Sequence, residues 1–167
     1  SFFLIEIELW KIGNSKIAPK FSIIEQPNNW EKNTIGESSL SELERLQLRF
    51  WQHFKDIAPK YLNGFTIRSA CPQCFFDLSI GNSQVYVNLR IARQKREITA
   101  GLYFRNCKEV YSNYMKNQSK VESILGEKIL ATEGNKDCTI RTIKNIDITK
   151  ESNWPLAAKW LCEEANK

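Results

Sequence analysis

Phe75-Phe-Asp-Leu-Ser-Ile-Gly-Asn-Ser-Gln-Val-Tyr-Val-Asn-Leu-Arg-Ile-Ala-Arg-Gln-Lys-Arg-Glu-Ile-Thr-Ala-Gly-Leu-Tyr-Phe104 is the stretch that decides the fold. Val85, Val87, Leu89 and Ile91 alternate with Tyr86, Asn88 and Arg90, which is the period of a strand with one face buried. Phe75 to Ile80 and Ile98 to Phe104 read as strands on either side. The links Gly81-Asn-Ser83 and Arg93-Gln-Lys-Arg96 are too short for parallel crossovers, so the three strands form an antiparallel meander.

Working outward, Leu40, Leu43, Leu46, Phe50, Trp51, Phe54, Ile57, Ala58 and Tyr61 recur every three or four positions, predicting an amphipathic helix over 39–62. Ser39 or Ser41 caps it, each followed three residues later by Glu42 or Glu44, and Pro59 kinks or ends its last turn. A second helix is predicted from Lys108 to Leu125, capped by Asn106 and stopped by Gly126, with Val110, Tyr111, Tyr114, Met115, Val121, Ile124 and Leu125 as its apolar positions. Short strands at Lys128 to Thr132 and Cys138 to Ile143 flank the turn Gly134-Asn-Lys-Asp137. A closing helix over Ser152 to Ala165 presents Trp154, Leu156, Ala157, Trp160 and Leu161. The order predicts an α+β fold: an antiparallel sheet with its helices mainly on one face, a two-layer sandwich.

Upstream, Phe3, Ile5, Ile7 and Leu9 alternate against Leu4, Glu6, Glu8 and Trp10 as a first strand, which the chain enters without a methionine or lead-in, as a piece of a longer protein would. Lys20 to Glu25 is extended, and a polar connector running to about Ser38 marks the boundary. The expected organisation is an N-terminal strand and connector over 1–38 and an α+β domain over 39–167. The 167 residues, 42% of them apolar, suffice for one core with an arm. No apolar run reaches the roughly 20 residues that cross a bilayer, so no membrane partner is expected. Five cysteines at unrelated spacings read as reduced thiols of a cytoplasmic protein.

Three motifs in this chain resemble an uncharacterised prokaryotic family: Phe2-Phe-x-x-Glu-Ile-Glu-Leu-Trp-Lys-Ile-Gly-x-Ser15, Ala18-Pro-Lys-Phe21 and Pro27-Asn-x-Trp30. In that family a region similar to PD-(D/E)XK nucleases precedes a C-terminal domain of unknown function, number four-two-six-eight. Arg49-Phe-Trp51, Leu78-Ser-Ile-Gly81 and Val121-Glu-x-x-Leu-Gly126 are similar to marks of that C-terminal domain. The resemblance spans nearly the whole chain and implies that nuclease-like acidic and lysine residues stand upstream. The sequence departs from the family pattern at Asn14, where an aspartate is expected, and at Cys71-Pro-Gln-Cys74, which has no counterpart, so no metal or catalytic role is carried over to these positions.

Several groups invite a chemical reading. Cys71 and Cys74 are the one paired-cysteine motif, but tetrahedral zinc needs two more ligands, which Cys107 and Cys138 would supply only if the fold brought them close. Incidental thiols are the preferred reading, with Cys71 and Cys74 as a metal site the alternative and no cofactor expected. His53 is the sole histidine and lies off the main apolar stripe of its helix, as a partly exposed, non-catalytic side chain would. Glu6 and Glu8 share a strand face with Lys11 just beyond, yet lack the acid-x-lysine order of a PD-(D/E)XK site, so they read as solvated charges. Trp30, Trp51, Trp154 and Trp160 are assigned to packing.

The net charge of +5 permits nucleic-acid binding without demanding it. Positive charge gathers at Arg90, Arg93, Lys95 and Arg96 on the second hairpin, with Tyr86 and Asn88 on the strand face of Arg90. Arg forks pair with phosphate oxygens, and an aromatic ring beside them stacks on a base. The competing explanation is a hairpin tip made basic for solubility and to discourage edge pairing. The functional expectation is a non-catalytic accessory domain that contacts DNA through Tyr86, Arg90, Arg93, Lys95 and Arg96, or contacts a partner: its own nuclease-like region or a second copy. A small enzyme with a site on the sheet surface and a structural dimerisation module are the alternatives.

Overall fold

The computed structural model describes residues 4–10, 18–25 and 40–167. The chain divides into two units, Ser1–Leu40 and Ser41–Lys167. In the first, β1 (Leu4–Trp10) pairs antiparallel with β2 (Ala18–Glu25), with Ile7 opposite Phe21 and a register shift between Leu4 and Ile5. The first predicted strand thus finds its partner immediately downstream. Lys11, Asn14, Trp30 and the connector to Ser38 lie outside the described residues.

The second unit is an α+β fold on one open, wholly antiparallel sheet, as the alternating pattern predicts. Its strands are β3 (Phe75–Ser79), β4 (Val85–Ala92), β5 (Glu97–Phe104), β6 (Leu130–Glu133) and β7 (Cys138–Asn145). They run in the order β3-β4-β5-β7-β6, so the meander of the first three is continuous while β7 lies beside β5 and the four-residue β6 takes the edge. Cross-strand register places Phe76, Leu89, Ala100 and Thr142 in one row, and Leu78, Val87, Leu102 and Ile140 in the next. These rows belong to the face that carries the helices.

Helix α1 (Glu42–Ile57) begins with a capping box in which the Glu44 amide donates to Ser41 Oγ (3.3 Å) and the Ser41 amide donates to Glu44 Oε2 (2.8 Å). Of the two predicted caps Ser41 is the one used, and Ser39 falls outside the described residues. The Ser41 hydroxyl, which donates to Glu44 Oε2 at 2.7 Å, and then the Ser41 amide hold the Glu44 carboxyl below its usual range. The helix ends two residues before Pro59, which enters a 3-10 turn over Ala58–Lys60. Phe50, Trp51, Phe54 and Ala58 are fully buried, whereas the predicted stripe residues Leu43 and Tyr61 are exposed.

The single helix predicted over 108–125 is two helices, α2 (Lys108–Met115) and α3 (Gln118–Leu125). Asn117 breaks it: its side-chain amide donates to the Asn113 carbonyl (3.1 Å), and its backbone amide bonds Tyr114 three residues back (3.0 Å). The residue at the N-cap of α2 is Cys107, with no capping side chain, rather than Asn106, which takes a positive φ of 50°. Gly126 ends α3 in the left-handed conformation (φ 73°), the stop its position predicts. In α4 (Trp154–Ala165) the buried residues are Trp154, Ala157, Ala158, Trp160, Leu161 and Cys162. Leu156, assigned from the sequence to that apolar face, is 57% exposed because it stands two positions from Trp154, on the outer side of the helix.

Among the described residues, both hydrophobic cores lie on the side of the sheet that carries the helices. Helices α1 and α4 close a large core over Phe76, Leu78, Val87, Leu89, Ile91, Ile98 and Ala100. Edge-to-face aromatic contacts tie it together: Phe50 to Trp51 (5.0 Å), Trp51 to Phe54 (5.6 Å) and Phe50 to Trp154 (5.9 Å). The indoles of Trp51 and Trp154 donate to the carbonyls of Gln73 and Ile148, each at 2.7 Å, so these large side chains are buried without orphaned donors. A smaller core at the other end holds Val85, Phe104, Cys107, Tyr111, Ile129, Cys138 and Ile140.

Candidate nucleic-acid interface

Because strand side chains alternate, burying Val85, Val87, Leu89 and Ile91 sends Tyr86, Asn88, Arg90 and Ala92 to the face opposite the helices. Register extends this outer face across the sheet, through Thr99, Gly101 and Tyr103 of β5 to Thr139, Arg141 and Ile143 of β7. None of α1 to α4 contributes to it.

The predicted basic cluster divides into two groups. Arg93, Lys95 and Arg96 stand exposed in the β4–β5 turn, which is closed by Lys95 N to Ala92 O (3.2 Å) and Arg96 N to Arg93 O (3.1 Å). Arg96 adopts φ 54° and approaches the Asp147 carboxylate at 3.7 Å, a contact too long and too exposed to neutralise it. Beside the turn lies a groove of about 580 Å³ lined by Arg93, Lys95, Arg96, Asp147, Thr149 and Gln47, among others. Thr149 hydroxyl and amide hydrogen bonds hold the Asp147 carboxyl low, with Arg96 and Lys150 adding smaller contributions.

Arg90 is a half-buried residue on the body of the sheet, opposite Phe75 of β3 and Thr99 of β5, with Nη2 3.8 Å from Cys74 Sγ. Tyr86 lies four residues farther from the turn, roughly 13 Å along the strand, so it is not the aromatic neighbour of the tip. It stacks on Tyr103 with ring centroids 5.2 Å apart and planes inclined by 15°. Burial raises the Tyr86 phenol, and Asp77 adds to the effect. Asn88 is buried and donates to Asp77 Oδ1 at 2.6 Å. Arg141 and Thr99, which the sequence did not single out, share this face. The alternation within Cys138 to Ile143 is the signal for Arg141, but its proximity to Arg90 depends on strand order.

The remaining candidates are scattered. Cys71 and Cys74 adjoin the Ile91 end of the sheet, where the Ile91 amide donates to the Cys74 carbonyl at 2.9 Å. Cys107 and Cys138 are buried in the smaller core at the Val85 end, roughly 20 Å away at strand rise. The four cysteines are therefore not convergent. Burial raises the Cys107 thiol first, with Cys138 and Asp137 contributing. His53 is half-buried against Trp154, ring centroids 5.7 Å apart. A mostly apolar cavity of about 380 Å³ opens between α3 and the end of α4, over Val87, Leu102 and Ile140, and its polar edge is Thr142, Glu164 and Lys167. Thr142 Oγ1 donates to Glu164 Oε2 (3.0 Å), and Lys167 pairs with Glu164 (2.6 Å). Neither His53 nor any cysteine lines it. Among the described residues no group of three metal-ligating side chains converges, and no helix is long and apolar enough to cross a membrane.

With this geometry in place, comparison with known proteins gives one finding: residues 46–167 match the family described as Domain of unknown function (DUF4268). Neither the search of curated proteins nor that of solved structures found a match.

Proposed function

Starting from the fact that the chain belongs to the DUF4268 family, we propose that its work is contact with nucleic acid through the sheet face that no helix of its unit covers. The observation that carries this reading is positive charge in two neighbouring groups: Arg90 and Arg141 lie on that face, and Arg93, Lys95 and Arg96 project from the turn at its end. Phosphates are drawn to such a surface by Coulomb attraction and by counterion release. Tyr86 and Tyr103 offer an aromatic platform at the other end, on which an unpaired base stacks. On this reading the domain is a non-catalytic accessory of a prokaryotic, cytoplasmic protein, with any nuclease-like chemistry supplied upstream.

The test is fluorescence anisotropy of labelled single-stranded and duplex DNA over a salt series, with the chain as it stands and with Arg90, Arg93, Lys95 and Arg96 changed together to alanine. Expected is binding that weakens with salt, with a log–log slope of about −0.7 to −0.9 per phosphate contacted, and a shallower slope by about one for each contact the variant loses. Absence of binding at low salt, or equal binding by the variant, would sink the reading and leave contact with a partner protein as the leading one.

A further inference from the structure

Among the described residues, the sheet face opposite the helices carries two arginines without a carboxylate counter-ion. Arg141 is half-buried on β7, and its Nη2 donates to Thr139 Oγ1 at 2.8 Å, while its Nε is buried with no hydrogen-bond partner. Among the described residues, Arg90 has the Cys74 sulfur within reach, at 3.8 Å. Among the described residues neither forms an ion pair with a carboxylate, and the nearest acid on this face, Asp77, is engaged by Asn88. Burial, and then the charge of Arg90, lower the affinity of Arg141 for its proton. Two like charges held in partial desolvation form an arrangement that an anion relieves.

Thr99 supplies a further unused group. It faces Arg90 across the β4–β5 ladder and lies one diagonal step from Arg141 across β5–β7. It is 7% exposed, and its hydroxyl has no partner. The intervening position on β5 in the row of Arg141 is Gly101, opposite both Asn88 and Arg141. A Cβ there would lie 1.9 Å from the Ile140 carbonyl oxygen, so this position admits no side chain and none stands between Asn88 and Arg141 in that row.

We propose that Arg90, Thr99 and Arg141 form a phosphate-binding site on the sheet face opposite the helices. Two guanidinium forks and a hydroxyl offer more donors and more charge than a carboxylate can use, and they match the several oxygens and double charge of a phosphate group. That the phosphate belongs to a nucleic-acid backbone rests on the reading proposed above; a free phosphate compound has the same chemistry.

The experiment is an NMR titration of the whole chain with inorganic phosphate at fixed ionic strength, following the arginine Nε–H signals, with chloride and acetate as controls. Expected are saturable shifts at Arg141 and Arg90 with phosphate alone, and an affinity at least roughly ten-fold weaker in Arg141→Gln and in Thr99→Val, the usual effect of removing a charge-assisted hydrogen bond. Thr99→Val keeps the charge and nearly the shape, so it separates loss of the site from loss of the fold. Shifts that do not saturate, or that persist unchanged in both variants, overturn the site. DNA anisotropy with the same two variants identifies the source. Weakened DNA binding assigns the phosphate to a nucleic-acid backbone, and unchanged DNA binding by variants that have lost the phosphate affinity of the unaltered chain assigns it to a small phosphate compound. DNA binding that depends on the turn residues, with no phosphate shifts, overturns the site and leaves the broader nucleic-acid reading standing.

Discussion

Tyr103 divides its side chain between two partners: the ring stacks on Tyr86, and the hydroxyl donates to Asp137 Oδ2 at 2.7 Å. Asp137 also accepts the amide of Asn106 at 2.9 Å, which anchors the turn after β5 in its positive-φ conformation. The hydrogen bond to Asp137, then burial, push the Tyr103 phenol from 10.0 up to about 12. The unfolded chain releases this proton first, so the contribution to stability is complete below pH 10 and declines as the pH rises towards 12. Asp137 behaves oppositely. Held below the usual carboxylate value, chiefly by Tyr103, it adds stability that is present above that value and is lost as the pH falls through its lower, folded one. In Tyr103→Phe the alkaline loss should be smaller, since Tyr86 and Cys107 keep their raised values, and the acid limb flatter, measured by urea unfolding across pH; a difference from the unaltered chain that is constant with pH would refute the coupling. The sequence shows that Tyr86 and Tyr103 belong to strands. It does not show that Asp137, 34 positions beyond Tyr103, reaches back to it.

At the scale of elements, α1 and α3 are opposites. Helix α1 buries three aromatic residues completely, whereas α3 has no buried residue and leaves Ile124 72% exposed. Local opening costs least where few apolar contacts must be broken. Amide hydrogen exchange should therefore be faster throughout 118–125 than through the middle of α1 and α4. Equal protection would mean that a further surface covers Ile124 and Leu125. The break before α3 was visible in the sequence as the polar run Lys116-Asn-Gln-Ser-Lys120, which interrupts the apolar spacing between Met115 and Val121. Continuous helix propensity outweighed it, because the competition of an asparagine side chain for the backbone is a local effect that spacing does not register. Strand positions were more legible than helix ends, since a period of two leaves little choice of face.

Taken whole, the Ser41–Lys167 unit follows the α+β reading closely, for the pattern dictates a sheet with one apolar face and helices to cover it. What the sequence could not yield is the place of β7. Its ladder with β5 joins Glu97 to Asn145, a pairing that no turn specifies, and it is this pairing that brings Arg141 towards Arg90. Among the described residues, both cores draw on positions from Leu46 onwards. A fragment beginning at Ser41 should therefore unfold in one cooperative transition with its near-ultraviolet tryptophan signal intact, as circular dichroism can test; a broad transition or loss of that signal would show dependence on the first unit. The closure of the larger core by its first and last helices also bears on synthesis. Arg49 of α1 meets Glu151, just before α4, across 102 positions of chain. At ribosomal speeds of roughly 5–20 residues per second, Phe50, Trp51 and Phe54 wait for roughly 5–20 s before their cover emerges. For that interval the nascent chain displays an aromatic face to chaperones, and a message truncated before Trp154 yields a product that quality control can recognise by its unsealed core.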